Sequence, residues 1–369
     1  MPTVAHKIRL TPTPEQVVYF RKACGTARFA YNWGLTEWRR QYKAGGHPSM
    51  FALKKQFNAM KRQAFPWIAD VTKCAAESGL INLGKAFSNF FQKRAKYPRV
   101  HKKGKHDSVT LANDKIALRP FAVQIPKLGW VRMTESLRFS GYIKSAVVSR
   151  IADHWFVSFT VEMTDSPRPQ CKNHATVGVD VGIETLATLS DGTRFENPKA
   201  TLKLQRRLAR LNRALGKKQK GSKNREKAKI ALSRLHYRIA CIRKDAAHKL
   251  TDYLAKHFQT IVIEDLNVNG MMKNKRLAKH IADANFFEIH RQATYKAALS
   301  GGNVERVNRF YPSSKTCSQC GHIHRELKLS DRVFTCPACH HRQNRDENAA
   351  VNLEQYSVRA ACPELTLAD

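Results

Sequence analysis

The sequence predicts a chain of α/β plus β structure, with a helical segment, a strand-rich segment and a C-terminal α/β domain. Three observations predict this fold class. Apolar residues recur at helical spacing from residue 13 to about residue 95, and they alternate with polar residues at a period of two near residue 160. From residue 176 onward, short apolar runs alternate with longer helical patterns. At 369 residues the chain is long enough for two or three domains, each with its own core.

A first helix is predicted after a short leading strand. Thr13 is expected to be its N-cap, Pro14 its first residue and Gln16 the reciprocal partner in a capping box. A Gly-Gly pair at residues 45–46 and a Phe-Pro pair at residues 65–66 divide the helical pattern into separate helices. Aromatic residues are dense in this segment, and we expect most of their rings to lie in its core.

Strand patterning begins after a basic linker at residues 101–106. Apolar and polar residues alternate through residues 155–163, which predicts a half-buried antiparallel strand. A turn at residues 152–154 can return this strand onto the run at residues 145–151. Residues 107–165 therefore suggest a small barrel, which the leading strand could join. The side chains expected to share one face of the strand are Val157, Phe159, Val161 and Met163.

The C-terminal half has the order of strands and helices that is typical of an RNase H-like fold. A linker rich in proline and polar residues, at 166–173, precedes it. Three strands come first, then a long helical stretch, a fourth strand, a helix, a fifth strand and a last helix. The predicted bounds, in that order, are 176–181, 185–189, 193–196, 199–250, 260–264, 276–300, 304–310 and from Arg345 onward.

Three acidic residues lie at the ends of different elements in this half. Asp180 and Glu264 each end an apolar strand, and Asp346 lies at the head of the last helix. Carboxylate oxygens are the ligands that Mg²⁺ prefers, and two-metal cleavage of a phosphodiester requires several of them. On spacing alone Asp265 is an alternative to Glu264. Neighbours on a strand face opposite ways, so only one of the two can reach the site.

Two close pairs of cysteines predict a metal site of another kind. Cys317 and Cys320 are separated by two residues, as are Cys336 and Cys339, and 15 residues lie between the pairs. This spacing is typical of tetrahedral Zn²⁺, and four thiolates leave no open position, which predicts a structural zinc. The nearby histidines are expected on the surface rather than among the ligands. The other cysteines are scattered, as expected in a reducing compartment: Cys24, Cys74, Cys171, Cys241 and Cys362.

The charge of the chain predicts a polyanionic partner. Lys and Arg number 65 against 29 Asp and Glu, a formal net charge of +36, and such an excess repels itself unless a partner neutralises it. Residues 199–250 hold 18 Lys or Arg against two acids, Glu226 and Asp245, which favours contact with phosphates. The sequence has no apolar run long enough for a transmembrane helix and no signal-peptide pattern at its start.

Four motifs occur in the order found in TnpB, the RNA-guided nuclease of insertion sequences that is related to type V CRISPR effectors, and the chain resembles that family. The region that holds them covers about half of the chain. The motifs are VGVDVG at 177–182 followed by LATL at 186–189, IEDLN at 263–267, SSKTCSQCG at 313–321 and RDENAAVN at 345–352.

The resemblance implies an RNA-guided, Mg²⁺-dependent endonuclease that cuts double-stranded DNA beside a short target-adjacent motif. It implies that Asp180, Glu264 and Asp346 are catalytic and hold two Mg²⁺ ions, with Glu264 chosen over its neighbour. The expected partners are a guide RNA and the target DNA. At Asn344 the chain departs from the family, which usually has aspartate there. Asn344 can still be the N-cap of the last helix, with Glu347 at its third position.

The resemblance also implies a domain organisation. We expect a wedge-like β-barrel at residues 1–12 and 101–170, interrupted by a helical recognition lobe at 13–100. A RuvC-like nuclease domain is expected at 171–310 and 341–369, with a zinc ribbon inserted at 311–340. Three residues of the lobe, on a helix expected to be exposed, are candidates for contact with nucleic acid: Lys54, Lys55 and Gln56.

Other functions remain open at this stage. A guide-independent RNase H-like nuclease or resolvase would use the same acids, but it needs neither the basic helical lobe nor the barrel. A catalytically silent RNA-guided repressor should have a broken acidic triad, whereas this one is intact. A strand-joining transposase is disfavoured by the four motifs. We expect a protein of the bacterial or archaeal cytoplasm, with no membrane partner and no small-molecule substrate.

Overall fold

The computed structural model describes residues 2–164, 171, 175–328 and 330–361. The chain divides into two compact units, Met1–Asp165 and Ser166–Asp369. Except for Cys171, the linker predicted at 166–173 lies outside the described residues, and so does Cys362. No helix of the described part combines the length and the apolar character needed to cross a membrane.

The first unit contains a strand, a group of helices and then a run of strands. A 3-10 helix at Pro66–Asp70 follows the second α-helix. The elements in chain order are β1 (Thr3–Leu10), α1 (Pro14–Lys43), α2 (Met50–Ala64), α3 (Lys73–Phe91), β2 (Ser108–Ala112), β3 (Ala117–Arg119), β4 (Ala122–Ile125), β5 (Gly129–Arg132), β6 (Tyr142–Ile151) and β7 (His154–Glu162).

The predicted signals at the ends of the helices are confirmed. The Thr13 hydroxyl accepts a hydrogen bond from the Gln16 main-chain N–H, and the Gln16 side chain accepts one from Thr13 N at 3.1 Å. This capping box satisfies two of the donors that a helix start leaves unpaired. α1 ends before the glycine pair, and α2 ends just before the Phe-Pro pair.

The strands of the first unit form two antiparallel sheets within the described residues. One has the order β1-β7-β6-β2 and the other the order β3-β4-β5. Leu10 and Met133 form a bridge that connects them. Three residues of the predicted inward face of β7 are fully buried, and the fourth packs partly buried against the same core: Val157, Phe159, Val161 and then Met163.

The second unit is built on a mixed sheet with helices around it. A hairpin of two short strands lies beside the paired cysteines. The elements are β8 (Thr176–Val181), β9 (Thr185–Leu189), β10 (Arg194–Glu196), α4 (Ala200–Gly216), α5 (Lys223–His257), β11 (Thr260–Glu264), α6 (Val268–Met271), α7 (Ala278–Ala284), α8 (Phe286–Leu299), β12 (Asn303–Val307), β13 (Val333–Thr335), β14 (Arg342–Asn344) and α9 (Arg345–Ala361).

The mixed sheet has the order β10-β9-β8-β11-β12. β8 and β9 pair antiparallel, whereas β11 runs parallel to both β8 and β12. Strands that are distant in the sequence, β8 and β11, are therefore neighbours at the centre of the sheet. This is the arrangement expected for an RNase H-like order of elements.

Two predicted elements of this unit are wrong in their bounds. The single helix predicted at 276–300 is two helices, α7 and α8, because Asn285 between them adopts a left-handed conformation with φ of 58°. Asn tolerates this conformation better than most residues, which allows the chain to change direction there. The strand predicted at 304–310 ends at Val307, and a turn follows.

The last helix, α9, packs directly against the central strand β8 at Gly178. A Cβ atom at Gly178 would lie 1.9 Å from the carbonyl oxygen of Ala350 and 2.6 Å from the amide nitrogen of Glu354. Ala349 and Ala350 of α9 are buried. Because Gly178 has no side chain, α9 can lie this close to β8.

Gly178→Ala is therefore expected to destabilise the second unit by roughly 1–3 kcal/mol or more, because an added methyl forces two packed elements apart. Urea unfolding followed by circular dichroism measures the change. Gly216→Ala at the end of α4 is the matched control, since a Cβ there meets nothing within 4 Å. We expect that variant to lie within about 1 kcal/mol of the parent. Equal stabilities of both variants would contradict the close packing.

Candidate active site and zinc site

Asp180 and Glu264 lie side by side at the ends of two parallel strands. Ile263 of β11 is in register with Val179 of β8, and each of the two acids follows directly in its strand. The carboxyl ends of parallel strands meet at the same edge of a sheet, which is where sites in such sheets are commonly found. Pairing of the strands, rather than closeness in the sequence, brings these two acids together.

Asp346 enters the site from the first turn of α9. Asn344 caps this helix, because its side-chain oxygen accepts hydrogen bonds from Asp346 N at 3.0 Å and Glu347 N at 3.4 Å. Asn344 thus caps the helix as an aspartate would at this position, as predicted. The Glu347 carboxylate accepts a hydrogen bond from the Arg194 guanidinium at 2.7 Å, which ties the start of α9 to β10.

The three carboxylates interact electrostatically. Burial, followed by the negative charges of Asp346 and then Glu264, raises the pKa of Asp180 to about 7, while Arg345 opposes the shift. The pKa of Glu264 is also raised, chiefly by burial and then by Asp265. Grouped, partly buried like charges disfavour ionisation unless a cation neutralises them. The donor set of hard oxygens and the mutual repulsion both fit divalent cations such as Mg²⁺.

Removing the Asp180 charge is expected to stabilise the metal-free protein at high pH. The folded-state pKa of about 7 lies above the ordinary value of 3.8. The contribution of this group to stability is therefore fully present below about pH 4 and is lost as the pH rises through 7. In EDTA, the free energy of unfolding of Asp180→Asn should exceed that of the parent by on the order of a few kcal/mol at pH 8. This difference should disappear toward pH 4.

Urea unfolding at pH 5 and pH 8, with and without Mg²⁺, tests this expectation. Mg²⁺ should raise the stability of the parent at pH 8 more than that of Asp180→Asn. Asp191→Asn is the control, because Asp191 lies in the exposed turn between β9 and β10, where an asparagine can also accept from Thr193 N. If the difference in free energy of unfolding between Asp180→Asn and the parent does not change with pH, the three carboxylates do not form the predicted cluster.

Asp265, the alternative to Glu264, is engaged elsewhere. Its main-chain N–H donates to Val307 O at 3.0 Å, and its carboxylate forms an ion pair with the Arg309 guanidinium. Asp265 follows the end of β11, so the opposite directions of neighbouring side chains separate it from Glu264. Glu264 remains the better candidate for the catalytic position.

The four predicted cysteine ligands lie together. Their sulfur atoms all lie within 4.8 Å of one another, and the described part of the chain holds no further group of ligands gathered so closely. Cys317 and Cys339 Sγ are 3.6 Å apart, and Cys320 and Cys336 Sγ are 3.5 Å apart. A disulfide would require about 2.05 Å, whereas zinc bonds of about 2.3 Å in a tetrahedron place sulfurs about 3.8 Å apart.

Main-chain amides support a negative charge on the Cys336 thiol. The Cys339 N–H donates to the Cys336 Sγ at 3.5 Å. Burial opposes ionisation of Cys336, but the amides of Cys339 and Ala338 outweigh it and lower the pKa of this thiol to about 6. Zn²⁺ binds thiolates rather than thiols, so the closeness of the four sulfurs and the lowered pKa of Cys336 both fit this ion.

Buried asparagines of α9 attach the segment around Cys317 and Cys320 to this helix. Asn348 donates to Thr316 O at 2.7 Å and accepts from Ser318 N at 3.0 Å. Asn352 donates to Ser313 O at 2.8 Å and also to Thr316 O at 2.6 Å. Both side chains are almost fully buried. Their spacing of four residues places them on one helix face, a signal that the sequence contains and that sequence analysis missed.

The three candidate residues for nucleic-acid contact lie in the first unit, on α2. Lys54 forms an ion pair with Glu77, and Gln56 hydrogen-bonds Glu37 and Gln41 through its side chain at 3.1 Å. Lys55 is exposed. Two of the three side chains are thus occupied by contacts within the protein, and the predicted exposure holds for Lys55.

The basic region at 199–250 forms the helices α4 and α5. One face of α4 packs through Leu204, Leu208 and Leu211 against Leu235 and Ile239 of α5. The apolar contact is narrow, so most of the lysines and arginines remain on the outside of the pair. Such a surface is suited to the phosphates of a nucleic acid.

Three families match parts of the chain. The family described as "Probable transposase" (OrfB_IS605) matches residues 158–275. The one described as "Cas12f1-like, TNB domain" matches residues 286–353. The one described as "Helix-turn-helix domain" (HTH_OrfB_IS605) matches residues 1–47, which here contain β1 and the single helix α1.

Similar proteins match the chain over nearly its full length. The chain is 34% identical to the "Putative RNA-guided DNA endonuclease InsQ" of Escherichia coli (strain K12), with 95% of this chain and 91% of that protein covered. It is 34% identical to a "Putative RNA-guided DNA endonuclease" of Streptomyces pristinaespiralis, with 95% and 88% covered. The fold is similar to that in the "Cryo-EM structure of the Cas12f1-sgRNA-target DNA complex", at a TM-score of 0.59 and 15% identity over 93% of this chain and 83% of that chain.

Proposed function

The chain belongs to the TnpB family, whose similar members are named RNA-guided DNA endonucleases, and from this premise we propose that it cuts DNA at a site chosen by a guide RNA. The observation that carries the proposal is the acidic set at the sheet edge. Asp180, Glu264 and Asp346 come from two parallel strands and a helix, and their charges act on one another. The chain therefore acts as a metal-dependent phosphodiester hydrolase on guide-paired target DNA.

The three carboxylates have separate roles in this proposal. Asp180, at the centre of the sheet, would hold both Mg²⁺ ions, and Glu264 and Asp346 would each hold one of them. When bound, Mg²⁺ would supply an attacking water of lowered pKa and positive charge to stabilise the leaving oxygen. The carboxylates themselves fix the position of the cleaved phosphate relative to the sheet edge. Asn344 and Gly178 support this arrangement, since they set the start of α9 and its distance from β8.

The rest of the chain is assigned to binding. We assign residues 1–12 and 101–170 to a wedge-like barrel and residues 13–100 to a recognition lobe. Residues 171–310 and 341–369 form the RuvC-like nuclease domain, and 311–340 form a zinc ribbon. The two antiparallel sheets of the first unit and the bridge between Leu10 and Met133 support the first assignment. The site of action is the bacterial or archaeal cytoplasm, where the target DNA lies.

Guided cleavage is tested by isolating the RNA that copurifies with the protein and sequencing it. The guide segment is then replaced, and plasmids with matched or scrambled targets are offered with Mg²⁺. We expect linear product from the matched plasmid alone. Cleavage that ignores the guide would favour a resolvase-type nuclease instead. Guide-dependent binding without any cleavage would favour a repressor.

Association with nucleic acid is expected to weaken steeply as the salt concentration rises. Each phosphate contact releases a counterion, so the logarithm of the binding constant falls linearly with the logarithm of the salt concentration. Replacing Arg207 and Arg210 on α4 by glutamine should reduce that slope by about one for each phosphate contact removed. Filter binding at several salt concentrations measures the slope. An unchanged slope would show that this part of α4 does not contact phosphate.

A further inference from the structure

A pocket of about 470 Å³ lies directly beyond the catalytic strand β11 in the second unit. Leu266, which follows the end of β11, lines it together with side chains of α8 and β12. Its volume lies within the range of about 300–1,000 Å³ that is common for small-ligand sites. The proposed catalytic chemistry does not use it.

The walls of the pocket offer flat apolar surfaces. Phe287 lines it with 70% of its surface exposed, and Tyr295 lines it further along α8 with 37% exposed. The Arg291 guanidinium lies 5.3 Å from the centre of the Tyr295 ring and also donates to the Glu288 carboxylate at 2.7 Å. An exposed phenylalanine costs hydrophobic free energy unless a partner covers it.

The charges around the pocket favour an anionic ligand with a flat apolar part. Arg306 on β12 lines the pocket, is exposed, and forms no ion pair with any residue that the structure describes. Asp265 is the acid in the wall, and Arg309 neutralises it. A nucleotide combines the required parts, because its base can stack on an aromatic ring while its phosphate meets an arginine.

Asp265 and His290 line the pocket beside the end of β11. The Nε2 atom of His290 is buried and has no hydrogen-bond partner among the described residues. Because Asp265 directly follows Glu264 in the chain, a ligand in the pocket lies one residue away from a proposed metal ligand.

We propose that this pocket binds one nucleobase of the DNA strand being cut, stacked on Phe287 at a fixed offset from the cleaved phosphate. The inference rests on the proposed function. Arg306 contacts the phosphate of the same nucleotide, and Asp265, which adjoins Glu264, keeps the pocket next to the catalytic position. The contact is independent of sequence, because every base presents a flat face for stacking. It fixes where along the strand the phosphate enters the site.

A scan with single abasic nucleotides tests this contact. Guided target DNA carries one abasic position at a time, moved stepwise across the cleavage site. We expect one offset at which the parent protein cuts roughly ten-fold more slowly or worse. Binding is measured in parallel with Asp180→Ala protein, which keeps the pocket and leaves the DNA intact.

Two variants complete the test. Phe287→Ala should cut intact DNA as slowly as the parent cuts the sensitive abasic substrate, and the missing base should then have no further effect. Phe310→Ala is the matched control, because Phe310 is 86% exposed in the same unit and does not line the pocket. The Phe310→Ala protein should still cut slowly when the same position as in the parent is abasic. Melting curves confirm that both variants are folded.

The outcomes separate the two proposals. If the parent protein cuts guided DNA at the same rate whichever position is abasic, the pocket does not bind a nucleobase, but the proposed function is unaffected. A Phe287→Ala variant that retains the sensitive offset overturns the pocket as well. A parent that fails to cut intact guided DNA overturns the function, and the pocket assignment with it.

Discussion

Glu264→Ala is expected to abolish cleavage of target DNA and to leave binding of RNA and DNA nearly intact. Glu264 ends β11 beside Asp180, and its loss removes an oxygen ligand from a site that needs several. The loss should exceed the about 10–100-fold effect of removing a group that only hydrogen-bonds to a metal ligand. Single-turnover cleavage and filter binding, measured on the same preparation, separate the two effects.

Asp265→Ala is the matched control for this result. It removes a neighbouring carboxylate of equal charge, but that carboxylate pairs with Arg309 at a partly exposed position. Ion pairs of this kind contribute only about 0–1 kcal/mol, so cleavage should fall mildly. A Glu264→Ala protein that cuts at the normal rate, or two variants with equal losses, would remove Glu264 from its assigned role.

Cys336→Ser is expected to lose both bound zinc and cleavage, although no cysteine touches DNA in the proposed site. Metal binding holds the two cysteine pairs together, so its free energy is also local folding energy. The segment around Cys317 and Cys320 presents Ser313 O and Thr316 O to Asn352, and Thr316 O also to Asn348. When this segment unfolds, the buried amides lose their acceptors, and α9 with Asp346 loosens.

Elemental analysis of zinc beside the cleavage rate decides this prediction. Cys241→Ser on α5 is the control, because this exposed thiol lies outside the cysteine group, and it should keep both zinc and activity. Asn348→Ala should retain zinc yet lower cleavage, which separates the mechanical link from the metal. A Cys336→Ser protein without zinc and with full activity would show that the ribbon does not support α9.

The parts of the fold that local chemistry determines could be predicted from the sequence. The capping box at Thr13, the alternation along β7 and the spacing of the cysteines each act over a few residues, and each is confirmed. The helix predicted at 276–300 is wrong because one asparagine, Asn285, adopts a left-handed conformation inside an otherwise helical pattern. A periodicity of apolar residues does not reveal such a single-residue change.

Contacts between distant segments were harder to predict. The ends of β8 and β11 meet because the two strands pair in the sheet. Only the order of the elements and the resemblance to a known family predicted this pairing. The pocket beside Phe287 combines residues of a loop, a helix and an edge strand, whose sequences carry no shared pattern. The occupied side chains of Lys54 and Gln56 likewise depend on Glu77, Glu37 and Gln41, which lie on other helices.

The position of Asp346 in the chain has a consequence for the newly made protein. The basic helices α4 and α5 and the acids Asp180 and Glu264 all leave the ribosome before the last helix does. Asp346 follows Glu264 by 82 residues, which takes about 4–16 s to translate at about 5–20 residues per second. During that interval the nascent chain carries much of its basic surface without a complete catalytic set. It can hold nucleic acid before it can cut it.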